Sequence, residues 1–398
     1  MFNKKVFQKI MLILLLIVLS SSMLIFMSFR LPAGDGAENR SISGNLPDND
    51  LLGPVPGKDT SNGSSSDSDD SNGLGSASGF VTTEIIYLKA DGTGDYATLE
   101  EAIADASSGA MIMLAKGIYE IIDYISIEKS IALMGAGADK TIITKKTGDD
   151  SLIYFGGNGK FVLDSITFKY EGEENCDVVE IESGELFASK CVFTGGYDAD
   201  LEDEENWGIG LFFYEKAKGT VTDCVLENNY FAGIEIDENA SAALTNNIVK
   251  NNYLGIHYYC ESGGGIAVNN EVFKNSGNGI EVGLGASPLL VKNYSHDNEF
   301  AGIIFFDNSS GFAVSNKVEN NKNNGIEVSN DASPTIMYNT MKGNKANNSG
   351  GLVFWKNSTG TVIGNTITGN SWGIYIGDNA SPYVGENSVS GNTTNFNY

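Results

Sequence analysis

From residue 233 onward the chain alternates apolar and polar side chains in short bursts, each opened by glycine. "GIEID" (233–237) puts Ile234 and Ile236 on one side, Glu235 and Asp237 on the other. In the same way Ile280 and Val282 oppose Glu281, and Ile326 and Val328 oppose Glu327. A side-chain period of two belongs to a β-strand. The apolar members face inward, because burying unpaired carboxylates costs several kcal/mol each. Almost no segment carries a 3.6-residue apolar stripe. The exception, "ATLEEAIADA" (97–106), aligns Leu99, Ala102, Ile103 and Ala106 and predicts one amphipathic helix.

The bursts repeat. A Gly-Ile step recurs at Gly208, Gly233, Gly255, Gly279, Gly302 and Gly325, and continues as Gly351-Leu352 and Gly373-Ile374, at intervals of 22 to 26 residues. A second column in phase reads Asp223, Asn246, Asn270, Asn293, Asn316, Asn339, Asn365, Asn387. A third follows five residues later: Asn228, Asn251, Asn275, Asn298, Asn321, Asn344, Asn370, Asn392. The period is too short for a propeller blade and lacks the spacing of leucine-rich repeats. It suits one turn of a parallel β-helix, in which each turn lies about 4.8 Å beyond the last and stacked asparagines pass amide hydrogen bonds between turns. The near-twin segments "GNGIEVGLGASP" (277–288) and "NNGIEVSNDASP" (323–334) then lie two turns apart, each with an exposed glutamate, Glu281 or Glu327. "ASP" and "SG/TG" bends alternate, a double beat of 46 to 48 residues. "SLIYFGGNG" (151–159) and "DVVEIESG" (177–184) read as earlier strands. The expectation is an all-β, right-handed parallel β-helix solenoid of about eleven turns, roughly 50 Å long, with helix 97–106 capping its N-terminal end.

Composition divides the chain. Lys4, Lys5 and Lys9 precede an apolar run from Ile10 to Phe29, long enough to span a bilayer. The basic flank stays cytoplasmic, so residues 1–30 predict a signal anchor, favoured over a cleaved signal peptide, that leaves the rest extracytoplasmic. Residues 31–79 are rich in Gly, Ser, Asp and Asn and predict a disordered linker; residues 80–398 form the β-helix domain. Acids outnumber bases 51 to 25, and the only arginines are Arg30 and Arg40. So acidic a surface repels nucleic acid and anionic lipid and suits calcium or uncharged substrates. Four cysteines without a CxxC pair make neither a disulfide framework nor a zinc site. Cys191 and Cys224, at matching places in consecutive turns, are within reach of a disulfide.

The segment "YLKADGTGDYATLEEAIADASSGAMIMLAKGIYE…ISIEKSIALMGAGADKTIIT" (87–144) resembles the opening of pectin methylesterases and pectate-lyase-like proteins. There a DGSGDF-like strand, a cap helix, a "G.Y" strand and an "L.G.G...T.I" turn follow in this order. The chain is thereby similar to the pectin lyase-like superfamily, and residues 152–398 resemble its generic repeats. The resemblance implies a polysaccharide-facing scaffold. It carries over no catalytic set: the "GYQDTL", "DFIFG" and "DPH" motifs and a catalytic arginine are absent from the domain.

In that superfamily substrate lies along an outer sheet face, here the outward positions of the Gly-Ile strands. One column runs Glu235, His257, Glu281, Ile304, Glu327, Val353, Tyr375; the next runs Asp237, Tyr259, Gly283, Phe306, Ser329, Trp355, Gly377. Carboxylates accept hydrogen bonds from hydroxyls, and rings stack on sugars. Glu235, Asp237, His257 and Glu281 are the catalytic candidates. Glu235 and Glu281, about 9.6 Å apart along the axis, are near the spacing of inverting glycosidases. Tyr259, Phe306, Glu327, Trp355 and Tyr375 are the substrate-binding candidates. The other reading of this face is a solvated sheet surface. The acidic insertion "YDADLEDEENW" (197–207) offers Asp198, Asp200, Glu202 and Asp203 as calcium ligands, or is a metal-free surface loop. His296, on another face, reads as surface. Three functions follow: polysaccharide recognition; a carbohydrate-active enzyme, either a calcium-dependent lyase or a hydrolase; or a surface rod that meets protein partners. The final "NTTNFNY" brings no capping helix, which predicts homo-oligomer contact at that end.

Overall fold

The computed structural model describes residues 79–199, 208–261, 263–345 and 349–397. The expected anchor, and the expected linker up to residue 78, lie outside the described residues. No helix among the described residues is long and apolar enough to cross a membrane.

In the unit Thr82–Tyr398, short strands stack into three sheets of 13, 12 and 12 strands. One turn shows the path. Ala232–Glu238 lies in the second sheet, Ser241–Thr245 in the first and Ile248–Lys250 in the third; Leu254–Cys260 then returns to the second, parallel to Ala232–Glu238. The first sheet's 13 strands exceed the eleven turns expected. The earliest turns, from Glu84–Leu88 onward, lack the Gly-Ile and asparagine markers that set the sequence period.

The core is built by register. Leu211, Ile234, Ile256, Ile280, Ile303, Ile326, Leu352 and Ile374 pair turn over turn and are all buried. The parallel row Phe213, Ile236, Tyr258, Val282, Phe305, Val328 and Phe354 is buried with them. Each such side chain contributes about 1.5–3 kcal/mol of burial. The helix forms at Leu99–Asp105, with Thr98 as N-cap accepting from Glu101 N at 3.2 Å. Leu99, Ala102, Ile103 and Ala106 are buried against the core, as the stripe requires.

The asparagine columns form two ladders, with a correction at their upper ends. One runs Asn247, Asn270, Asn293, Asn316, Asn339, Asn365, Asn387, and the other Asn229, Asn252, Asn275, Asn298, Asn321, Asn344, Asn370, Asn392. At each rung the side-chain amide donates to the next turn's Oδ1, as Asn293 does to Asn316 at 3.1 Å, and to a carbonyl, here Ala267 O at 2.9 Å. Asp223, Asn246, Asn228 and Asn251 stand one place early. They take positive φ near 54–57°, as the residue before the rung does at Asn269, Lys274 and Lys292 too. Where two asparagines are adjacent, only the second turns inward. Cys224 holds the rung above Asn247, and its N–H donates to Asn247 Oδ1 at 3.0 Å. Cys191 and Cys224 are free buried thiols, not a disulfide; Cys191 N–H donates to Cys224 Sγ at 3.4 Å.

The glycine column also shifts by one step. Leu211 pairs with Ile234, so Gly210-Leu211, not Gly208-Ile209, is the equivalent of Gly233-Ile234. The glycine is required by space. A Cβ on Gly233 would stand 2.5 Å from Val249 Cγ1 and 2.8 Å from Asn252 Nδ2.

Candidate functional site

The outward row of the second sheet is continuous in register: Tyr154, Glu180, Phe212, Glu235, His257, Glu281, Ile304, Glu327, Val353, Tyr375. These side chains leave the solenoid core, yet they are not freely solvated as an outer sheet face would be. Glu235 is 5% exposed and His257 6%, Val353 is fully buried, and Glu281 and Glu327 are half-buried. The twin glutamates are therefore not exposed as the strand pattern suggested. Rings from neighbouring positions stand beside this half-buried row, and the strip they bound is called the trough below.

At its centre His257 lies between two carboxylates. Nδ1 is 3.3 Å from Glu235 Oε1, and Nε2 is 3.7 Å from Glu281 Oε1. Burial pulls the imidazole toward neutrality. The charge of Glu235 and its contact with the ring, then the charges of Glu281 and Asp237, outweigh burial and raise the pKa. Glu235 Oε2 is buried without a hydrogen-bond partner. Phe231 meets the imidazole edge-on at 5.8 Å, and Tyr259 lies 5.3 Å away on the other flank. Asp237 is raised by burial, then by Glu235 and Glu238. The four catalytic candidates thus do come together.

The substrate-binding candidates spread further along the same trough. Phe306 lies over Gly283, where a Cβ would stand 2.6 Å from its Cζ, so the glycine makes room for the ring. Trp355 packs on Tyr375 at 4.5 Å, and Trp372 stacks on the same ring at 4.5 Å. Phe306 and Trp355 are half-buried rather than exposed. Glu327 is raised by burial against the pull of Asn324 and Lys356.

A local device missed in the sequence explains the twins. Asn278 Nδ2 donates to Glu281 Oε2 at 2.6 Å while its Oδ1 accepts from Ala301 N in the next turn at 2.9 Å. Asn324 repeats both bonds, to Glu327 Oε2 at 2.7 Å and from Gly350 N at 2.7 Å. Each amide fixes its glutamate and ties two turns together. Asp177 stands in the same relation to Glu180, and its Oδ1 accepts from Ile209 N at 2.7 Å. Burial drives Asp177 well above the carboxylate range, with the Glu180 charge next; burial likewise raises Glu180 to about 7. The shared spacing, Asp or Asn three residues before Glu, was a signal available in "DVVE" and "NGIE".

Other candidates fall elsewhere. Asp200, Glu202 and Asp203 lie outside the described residues, leaving Asp198 as the described member of that set. His296 lies on the third sheet, but it is packed rather than free: it stacks between Phe273 at 5.0 Å and Tyr294 at 4.0 Å, with Glu271 and Asp297 on its nitrogens. Lys250 ends a strand of that sheet and pairs with Glu227, and Lys274, just past Glu271–Phe273, lies over Phe273. Among the described residues no group of three or more His, Cys, Asp or Glu converges on a metal position. In the trough, Glu235 and Glu281 meet opposite nitrogens of one ring, which keeps them from sharing a cation. The ring also fills the gap where an inverting glycosidase places its water.

The family model for the right-handed beta helix region matches residues 139–293 and 261–394, and the chain belongs to that family, within the pectin lyase-like superfamily. Two curated relatives are pectinesterase/pectinesterase inhibitors. The protein from Ficus pumila var. awkeotsang is 34% identical over 127 residues, 28% of this chain and 23% of the relative. A probable pectinesterase/pectinesterase inhibitor 12 from Arabidopsis thaliana is 29% identical over 131 residues, 29% of this chain and 24% of the relative. The chain thus matches about a quarter of the length of either. Among solved structures, the A-module of the mannuronan C-5 epimerase AlgE4 from Azotobacter vinelandii superposes with TM-score 0.61 at 16% identity, over 75% of this chain and 91% of that one. The Dettilon tailspike protein superposes with TM-score 0.55 at 17% identity, over 75% and 68%. These two likenesses define the fold.

Proposed function

We propose that the protein recognises polysaccharide along the trough, and that residues 1–30 hold it at a membrane with the β-helix outside. The observation that carries this reading is the in-register row of carboxylates flanked by Tyr259, Phe306, Trp355 and Tyr375. Hydroxyl acceptors on alternate turns, with stacking rings beside them, are thereby offered along one line. The segment shared with pectinesterases agrees with it. Binding is favoured over cleavage because the imidazole occupies the space between Glu235 and Glu281, and the pKa of that imidazole is raised, which suits a fixed cation better than a neutral base.

The test is affinity electrophoresis of the full chain through gels holding a panel of glycans. At least one glycan should retard the wild type, and Trp355→Ala combined with Phe306→Ala should weaken retention by roughly tenfold or more, as loss of two stacking platforms implies. Retention by no glycan would sink the reading.

A further inference from the structure

The acids of the trough keep a strict beat. Glu180, Glu235, Glu281 and Glu327 occupy every second turn of the outward row. Phe212, His257 and Ile304 fill the turns between them. The carboxylate interval is therefore two turns, about 9.6 Å. An extended 1,4-linked hexopyranose chain of two-fold symmetry turns the same edge toward a flat surface once every second sugar, and its two-sugar advance is close to this interval.

The sign of the row is equally regular. His257 is the one residue in it able to carry positive charge, and two carboxylates already surround it. No lysine or arginine stands in either outward column. Glu235 keeps a buried oxygen, Oε2, with no partner in the protein. A polyuronate would bring like charge to this floor, where the low dielectric magnifies repulsion. An ammonium group every second sugar would instead meet a carboxylate at each contact, between rings that also attract cations. The acids are strung along the axis rather than gathered about one point, which suits a repeating ligand better than a single ion.

Resting on the polysaccharide reading above, we infer that the ligand of this trough is an extended 1,4-linked polysaccharide bearing free amino groups, read once per disaccharide by the half-exposed Glu281 and Glu327. The experiment titrates the full chain with hexamers of β-1,4-linked glucosamine, the same hexamers fully N-acetylated, and hexamers of galacturonate. The glucosamine hexamer should bind at least roughly tenfold more tightly than its acetylated counterpart, and galacturonate should not bind. Glu281→Gln and Glu327→Gln should each lower affinity for the glucosamine hexamer at least roughly tenfold more than affinity for the acetylated one. Ile304→Lys, which places a cation between those two acids, should abolish glucosamine binding; an unchanged melting temperature certifies the fold of each variant. Equal binding of the acetylated hexamer, preference for galacturonate, or indifference to all three substitutions would overturn the inference while leaving glycan recognition intact. Failure of these and every other glycan to bind would remove the reading beneath it.

Discussion

A single side chain shows how the core tolerates a polar group without a role. Tyr258 is fully buried in the row between Ile236 and Val282, and its hydroxyl has no hydrogen-bond partner. Burial raises its pKa far above the ordinary phenol, so it stays neutral. An unsatisfied buried hydroxyl costs about 1–3 kcal/mol. Tyr258→Phe keeps the ring and removes that group, so thermal unfolding of the variant should match or exceed the wild type. A drop of several degrees would show that the hydroxyl has a partner. The same scale explains what the sequence pattern missed at the site. Alternation tells inward from outward, but not whether an outward carboxylate is solvated. Glu235 is covered where His257 of the next turn lies against it, with Phe231 and Tyr259 packed on that imidazole, and no strand-local rule contains that.

At the scale of the repeating turn, the asparagine ladders hold the bends while the isoleucine rows hold the strands. Asn293 accepts from Asn270 N at 3.0 Å and donates to Ala267 O at 2.9 Å. Asn293→Ala strips partners from Asn270 and Ala267 on the turn before and one bond from Asn316 on the turn after, at about 1–3 kcal/mol for each buried group left unsatisfied. The exposed Lys292 beside it, at φ 54°, makes no rung. Chemical denaturation should show Asn293→Ala several kcal/mol less stable than Lys292→Asn, which substitutes a residue at home in that conformation. Equal midpoints would contradict the ladder. The period, the strand faces and the ladder phase from Asn270 onward were legible in the sequence because they repeat many times. The phase before Asn270 differs by one residue because "TNN", "ENN" and "KNN" offer two asparagines side by side, while in "TDC" the rung falls to Cys224. Only backbone φ separates them. The Gly208 step slipped for a similar reason, since "GIGL" holds two glycines and only pairing with Ile234 selects Gly210.

Over the whole molecule, charge buried along one face ties stability to pH. Glu180 is raised to about 7 from 4.5, chiefly by burial, so its stabilising neutral form is complete below the unfolded value and is lost as pH rises through about 7. The raised imidazole of His257 acts in the same direction: its contribution is present below its unfolded value and is lost as pH rises through the folded one. Melting temperature should therefore fall between about pH 5 and 8. Glu180→Gln should flatten part of that slope, by an amount on the order of 3 kcal/mol at most. A slope unchanged by the substitution would place the titration elsewhere. Fold class and the line of the trough could be read from the sequence. Its extension back through Phe212, Glu180 and Tyr154 was legible only as separate strands, since the acidic insertion at 197–207 interrupts the period there.

The central claim is that ligand lies on the second sheet, along the outward row. Hydrogen exchange of the full chain, with and without a glycan that retards it, tests this most directly. Protection should rise in Ala232–Glu238, Leu254–Cys260 and Ile280–Gly283, with Tyr294–His296 and Lys317–Glu319 on the third sheet unchanged. Protection confined to the third sheet, or to the first, would contradict it.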